Sequence, residues 1–257
     1  MTEQQQEVHL EAEGGVLTVT LDRPRVRNAV NENLAHRVAA AMERLDSDPD
    51  LQVGIITGAG GTFCAGMDLK AFVQGEVPMV GERGFAGLVQ QPPRKPLIAA
   101  VEGYALAGGF EIVLACDLVV AARSASFGIP EVKRSLVAAG GGLLRLPKRI
   151  PYHVAMELAL LGSFVGAERM TELGLVNRLV DDGSALGAAR ELAGEIARNG
   201  PLALAATKRI IVESADWDEH QAWVEQEAIA GPVSASQDAI EGATAFAEKR
   251  DPVWRGE

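Results

Sequence analysis

The segment GYALAGGFEIVLACD, residues 103–117, is small and apolar almost throughout, yet it carries one carboxylate before its final Asp, Glu111. Burying a charged Glu without partners is costly, so the stretch demands a reason for that residue. Gly108 and Gly109 stand just before it. Glycines at the start of an apolar helical run let the backbone turn tightly and let another molecule approach closely. They also leave the first helical N–H groups pointing outward, a ready place for a negative oxygen.

The surrounding pattern is mixed α/β. VHLEAEGGVLTVTLDRP (8–24) reads as a hairpin around Gly14-Gly15. NENLAHRVAAAMERLDSDP (31–49) reads as a helix with the apolar stripe Leu34, Val38, Ala41, Met42 and Leu45. LQVGIITG (51–58), PLIAAVEG (96–103) and DLVVAA (117–122) read as buried strands. Residues 71–95 are rich in Gly, Pro and charge and read as a long mobile surface loop. From about residue 151 the chain turns helical, with five helical segments and one further strand, GLVNRLV (174–180).

Length and charge bound the function. A chain of 257 residues has ample core for one large domain or a domain with an appendage. Its net charge of −11 disfavours nucleic acid and anionic membrane surfaces as partners. The opening MTEQQQEVHLEAEGG resembles neither a signal nor a transit peptide, and no apolar run reaches the ~18 residues of a membrane span. The expectation is a soluble, cytoplasmic protein. Cys64 and Cys116 lie in apolar surroundings and read as reduced core thiols. No Walker-type loop, nucleophile elbow or metal-ligand spacing occurs, and GAGGTF (58–63) lacks the third glycine of a dinucleotide fingerprint.

What remains is a pair of glycine-containing loops and a pair of glutamates. FCAGMDLK (63–70) has the same form as the loop before Glu111: strand, small-residue turn, helix start. Two such loops can each aim one N–H at a single carbonyl oxygen, an oxyanion hole in which one donor is worth roughly 3 kcal/mol in a transition state. Glu131, in SFGIPEVKRSL, follows Pro130 and a glycine-containing turn, at the start of another helix. Two glutamates across one pocket can divide acid and base roles. Each also fits a plain helix opening: a carboxylate in the first turn offsets the helix dipole, and Pro is favoured at the first helical position.

Taken together, LDRPRVRNAVNENL, FCAGMDLK, KPLIAAVEGYALAGGFEIVLACD, ASFGIPEVKRSLVAAGGGLLRLP and AFAEKRDPVW resemble the enoyl-CoA hydratase/isomerase, or crotonase, superfamily, in its order and spacing. The resemblance implies an α/β fold, a right-handed spiral of ββα units over residues 1–195. A helical oligomerisation region over 196–257 would form a homotrimer, with trimers able to pair into hexamers. It places the two catalytic glutamates on Glu111 and Glu131 and the oxyanion-hole amides on Met67 and Gly108. It implies CoA contacts, largely through backbone, at Arg25, Val26, Arg27, Ala65, Asp68 and Leu69, with Lys249 a candidate for a neighbour's CoA. The reaction it implies is syn addition of water to a trans-2-enoyl-CoA, with no metal or redox cofactor, coenzyme A being part of the substrate.

Some residues depart from the family pattern. Its common GGG is Ala107-Gly108-Gly109 here, a change expected to be harmless. Met67 replaces a frequent Ala, and Ala138–Gly142 reads AAGGG where PGAGG is frequent. GGFE, LLRLPK, GFAGL in the 84–89 region and DAIEGATAFAEKRDPVWRG look most like carnitinyl-CoA dehydratases, the alternative reading. A trimethylammonium substrate would want an acidic or aromatic lining, and the chain has only three Trp, two Tyr and seven Phe. An isomerase usually needs one of the two glutamates. A non-catalytic acyl-CoA binder would need neither.

Overall fold

Alternation decides the central layer. In the computed structural model, which describes residues 7–257, the hairpin forms as expected from β1 (Val8–Glu13) and β2 (Val16–Leu21). The first six residues of the polar opening segment lie outside the described residues. Helix α1 (Glu32–Ser47) follows, capped by Asn31, whose side chain accepts from the Leu34 N–H. Its stripe of Leu34, Val38, Ala41, Met42 and Leu45 is fully buried. Then come β3 (Val53–Gly58), the five-residue helix α2 (Leu69–Val73), and the two-residue strands β4 (Met79–Val80) and β5 (Gly84–Phe85). They are followed by β6 (Leu97–Val101), β7 (Tyr104–Leu106), α3 (Gly108–Ala115), β8 (Leu118–Ala122) and β9 (Ser126–Gly128). The second half adds α4 (Gly142–Arg149), α5 (Tyr152–Leu161), β10 (Val165–Gly166), α6 (Ala167–Glu172) and β11 (Arg178–Val180). Helices α7 (Ala185–Ala197), α8 (Pro201–Glu213), α9 (Glu219–Ser234) and α10 (Gln237–Glu248) complete the chain.

The main sheet has the order β1-β2-β3-β6-β8-β11 and is parallel from β2 onward. Its inner strands are apolar on both faces, as a sheet covered on both sides requires. Leu97, Ala99 and Val101 of β6 face the large core with α1 and α3, while Ile98 and Ala100 face α7. That helix meets the sheet through Ala185, Ala189 and Ala193, one small residue per turn, all fully buried.

A second, smaller layer grows beside the first. After β6 the chain turns at Gly103 (φ +56°) and enters β7, which pairs in parallel with β9; β10 adds antiparallel to β9. Cys64 forms an isolated parallel bridge to Ala105. Each turn of the chain therefore runs from a long strand to a short one and on to a helix: β3, Cys64, α2; β6, β7, α3; β8, β9, α4. These are the ββα units that the resemblance implies. Helices α4 and α6 and strand β10 were not anticipated. The first holds Pro147 in its interior and begins at a glycine run, and the last is two residues long.

The segment 71–95 is not the surface loop its composition suggests. Phe85, Ala86, Leu88 and Val89 are buried in the large core, and the Phe85 ring lies against Gly108. Glycine at 87 (φ +69°) lets the backbone pass α1 at Ala35. A short apolar cluster hidden among Gly, Pro and charged residues defeats a reading by composition.

Toward the C-terminus, α8 has no buried residue, and Ile211, Val212, Trp223, Val224, Ile240 and Phe246 are exposed on α8–α10. No helix among the described residues is long and apolar enough to cross a membrane.

Gly109 is where the two layers meet most tightly: a Cβ there would overlap the Cys64 carbonyl oxygen, and it is backbone that would have to give. Gly109→Ala is expected to cost about 2–3 kcal/mol, measured by urea unfolding; a loss under about 0.5 kcal/mol would contradict this packing.

Candidate active site

Two loops lie side by side. The Cys64 N–H donates to Tyr104 O (2.9 Å) and the Leu106 N–H to Cys64 O (3.0 Å), which fixes residues 63–67 against 104–109. Residues 25–30 close the other flank. The Ala65 N–H donates to Arg27 O, the Val30 N–H to Gly66 O and the Asp68 N–H to Val30 O. Met67 is thus pinned on both sides by its neighbours' hydrogen bonds. Among the described residues its own N–H donates to no acceptor in either loop. Gly108 opens α3, so its N–H has no intrahelical acceptor. A Cβ on Gly66, the residue before Met67, would stand 3.0 Å from Gly108 N, so the two amides belong to touching loops. Ala107 holds φ +52° and ψ −130°, a conformation that favours glycine; the alanine expected to be harmless carries strain of order 1–3 kcal/mol.

Glu111 lies one helical turn further on and is 4% exposed. Its Oε1 accepts from the Gly142 N–H at 2.9 Å. A Cβ on Gly140 would stand 2.5 Å from Oε2 and one on Gly142 3.1 Å from Oε1, so the glycine run 140–142 wraps the carboxylate. Burial pushes the Glu111 pKa up, and the Gly142 and Gly140 N–H groups and the Arg145 charge oppose that. This backbone partner lets Glu111 be buried, and no local pattern in the sequence marks Gly142 as its donor.

Glu131 sits in a short 3-10 turn, Pro130–Arg134, that follows β9. Its Oε2 is buried without a hydrogen-bond partner among the described residues. Burial raises its pKa to about 7, opposed by a backbone hydrogen bond and reinforced by the Glu111 charge. An unpartnered buried acceptor next to a second carboxylate is unfavourable for folding and suited to chemistry. Beside it is a cavity of about 400 Å³ lined by apolar side chains such as Leu136, Val137, Leu143 and Met156. Glu131 is its only charged lining residue and Tyr152 its only aromatic one, and Glu111, buried in α3, does not line it.

The remaining candidates divide. Arg25, Val26 and Arg27 are exposed on one turn, with the Arg27 guanidinium 5.4 Å from the Tyr104 ring centroid. Ala65 is half-buried in the neighbouring loop and Leu69 is exposed at the start of α2. The Asp68 carboxylate is already engaged: it caps α2 through the Lys70 and Ala71 N–H groups and pairs with Arg23 at 3.1 Å. Lys249 ends α10 in a left-handed conformation, exposed.

Two residues passed over in the sequence hold these loops. Asn28 is fully buried, and its Nδ2 reaches Ala59 O, Thr62 O and Phe63 O while its Oδ1 accepts from the Arg23 N–H. Arg23 bridges Ala29 O, Asp68 and Glu7. An Asn amid a polar loop gives no signal of burial, so only its place beside FCAGMD in the fold reveals the role.

Glu131 also sets a pH dependence of stability. Below its ordinary value of 4.5 it is protonated in both states. Between 4.5 and about 7 the unfolded chain loses this proton while the folded one keeps it, so stability falls as pH rises through that window. Glu131→Gln is expected to be more stable than the parent above pH 7 by about 1–2 kcal/mol, allowing for solvent screening. Denaturant melts across pH check this: the difference should vanish below pH 4.5, and a constant difference would contradict the assignment.

The family model described as Enoyl-CoA hydratase/isomerase matches residues 11–257. The chain is 58% identical to a crystal structure of enoyl-CoA hydratase from Mycobacterium tuberculosis H37Rv, with a TM-score of 0.96, covering 98% of this chain and 99% of that one. It is 43% identical to a carnitinyl-CoA dehydratase of Escherichia coli O157:H7, over 97% of this chain and 98% of the relative. A carnitinyl-CoA hydratase structure from Mycobacterium avium is also 43% identical, with a TM-score of 0.78 over 98% of this chain and all of that one. The chain belongs to the enoyl-CoA hydratase/isomerase family.

Proposed function

We propose that the protein is an enoyl-CoA hydratase that adds water reversibly to a trans-2-enoyl-CoA. The observation that carries this reading is the pair Glu111, buried, and Glu131, half-buried with one oxygen shut from solvent, both with raised pKa values, beside touching loops whose Met67 and Gly108 amides have no acceptor among the described residues. The thioester oxygen accepts from the Met67 and Gly108 N–H groups. One carboxylate, Glu111, held in orientation by Gly142, takes a proton from water as the water oxygen bonds to C3. The C2–C3 π electrons move toward the thioester, and the resulting enolate oxygen gains most from the two amides, each worth roughly 3 kcal/mol. Glu131, with a pKa of about 7, gives its proton to C2, and proton exchange with solvent resets the pair. The step uses no metal or redox cofactor.

Coenzyme A would lie along Arg25, Val26 and Arg27 and the backbone of Ala65, Asp68 and Leu69. Arg25 and Arg27 are a local positive patch on an acidic chain and are free to meet CoA phosphates; the Asp68 side chain, already paired, leaves only its backbone for this. The exposed apolar side chains of α8–α10 support reading 196–257 as an oligomerisation region of a homotrimer.

A second reading, hydration of crotonobetainyl-CoA, is favoured by the identity to carnitinyl-CoA dehydratases. The cavity beside Glu131 weighs against it, since an apolar lining with one Tyr offers a trimethylammonium group little beyond Glu131 itself.

The test is loss of enoyl-thioester absorbance with crotonyl-CoA and crotonobetainyl-CoA in parallel. Crotonyl-CoA should be hydrated rapidly, and Glu111→Gln and Glu131→Gln should each lower kcat by at least about 100-fold. Turnover of crotonobetainyl-CoA alone would replace the first reading with the second, and binding of both without turnover would sink both.

A further inference from the structure

Arg145 of α4 is a half-buried cation that forms no ion pair among the described residues. Its Nη2 donates to Val89 O at 2.6 Å, a neutral acceptor in the buried segment 85–89. Its Nη1 occupies the space a Gly141 Cβ would take, and Gly141 holds φ +96°, a conformation that favours glycine. Gly140 and Gly142, on either side, are the residues that flank the Glu111 carboxylate. The carboxylate therefore lies against the outer residues of this tripeptide and the guanidinium against its middle one. An unpaired, partly desolvated cation is unfavourable by itself, and the nearby Arg149 on the same helix adds repulsion. Glu111 is the carboxylate whose charge offsets it.

We propose that Arg145 is a positioning residue that locks the Gly140–Gly142 turn to the 85–89 segment and whose positive charge stabilises the carboxylate form of Glu111. It does not touch the reacting atoms; it acts through Glu111. The inference goes beyond the hydratase reading and draws its catalytic meaning from it. The burial-driven rise at Glu111 is opposed by this charge. The other charged groups about the pair are Glu131, Arg134 and the exposed Lys133 from the 3-10 turn, Arg149 and the exposed Lys148 from α4, and the Asp117–Lys208 ion pair; the Cys116 thiol after α3, pushed up by burial, is neutral. From α5, which packs on α4, the titratable side chains Tyr152, His153 and Glu157 are exposed.

The test needs no substrate. The carboxylate infrared bands of the full chain are titrated, with Glu111 assigned by difference against Glu111→Gln. Removing the charge in Arg145→Gln should raise the Glu111 midpoint by about one pH unit or more, and the acid limb of kcat/KM should move with it. Arg145→Lys keeps the charge and weakens the link to Val89, so its midpoint should stay near the parent's while kcat falls. An unchanged midpoint in folded Arg145→Gln overturns the inference. Should that variant fail to fold, Arg145→Met, which keeps the apolar stem and removes the charge, decides: a midpoint raised by about one unit supports the inference, and an unmoved one overturns it. If the Glu variants abolish hydration while Arg145→Gln leaves the titration unmoved, only this inference fails. If no enoyl-CoA reacts, the titration still answers for Arg145.

Discussion

The hydrogen bond from the Gly142 N–H to Glu111 Oε1 is the contact on which the site depends. It lets an apolar helix carry a carboxylate at 4% exposure. A buried acceptor left without its donor loses roughly 1–3 kcal/mol, more when charged. The donor is backbone, and it is in reach because residues 140 and 142 lack side chains that would crowd the carboxylate. The glycine run is thus a shape requirement set by Glu111, and Arg145 fills the space left at its centre.

The second layer gives this contact its surroundings. β7 and β9, with Cys64 bridging to Ala105, bring together the turn before α2, the start of α3 and the turn after β9, which follow the inner strands β3, β6 and β8. Three segments far apart in sequence then supply the Met67 amide, the Gly108 amide with Glu111, and Glu131. The unlike surroundings of the two carboxylates matter. Glu111 has backbone donors, whereas one oxygen of Glu131 is buried without any. Environment, rather than residue type, separates an acceptor of protons from a donor.

Much of this was legible in the sequence because it follows from period and composition. The apolar strands around Ile55, Ala99 and Val120, the stripe on α1 and the helical C-terminal third all match their patterns. The two glycine loops and both glutamates were legible as candidates, and their order resembles a family that the comparisons support. What was not legible depends on contacts between distant residues. The burial of Phe85–Val89, the hold of Asn28 on Thr62 and Phe63, and the Gly142 donor are invisible to local pattern. The strain at Ala107 was missed for the same reason: it is set by how α3 must start against Cys64 and Gly66.

The central claim is that two free amides and two carboxylates converge on one acyl thioester. The measurement that tests it most directly is a crystal structure with a CoA thioester that cannot be hydrated, such as acetoacetyl-CoA. The thioester oxygen is expected within hydrogen-bond distance, about 2.7–3.2 Å, of both Met67 N and Gly108 N, with C2 and C3 between Glu111 and Glu131. A thioester bound away from those amides, or an acyl chain that leaves one glutamate on the far side of the protein wall, would contradict it.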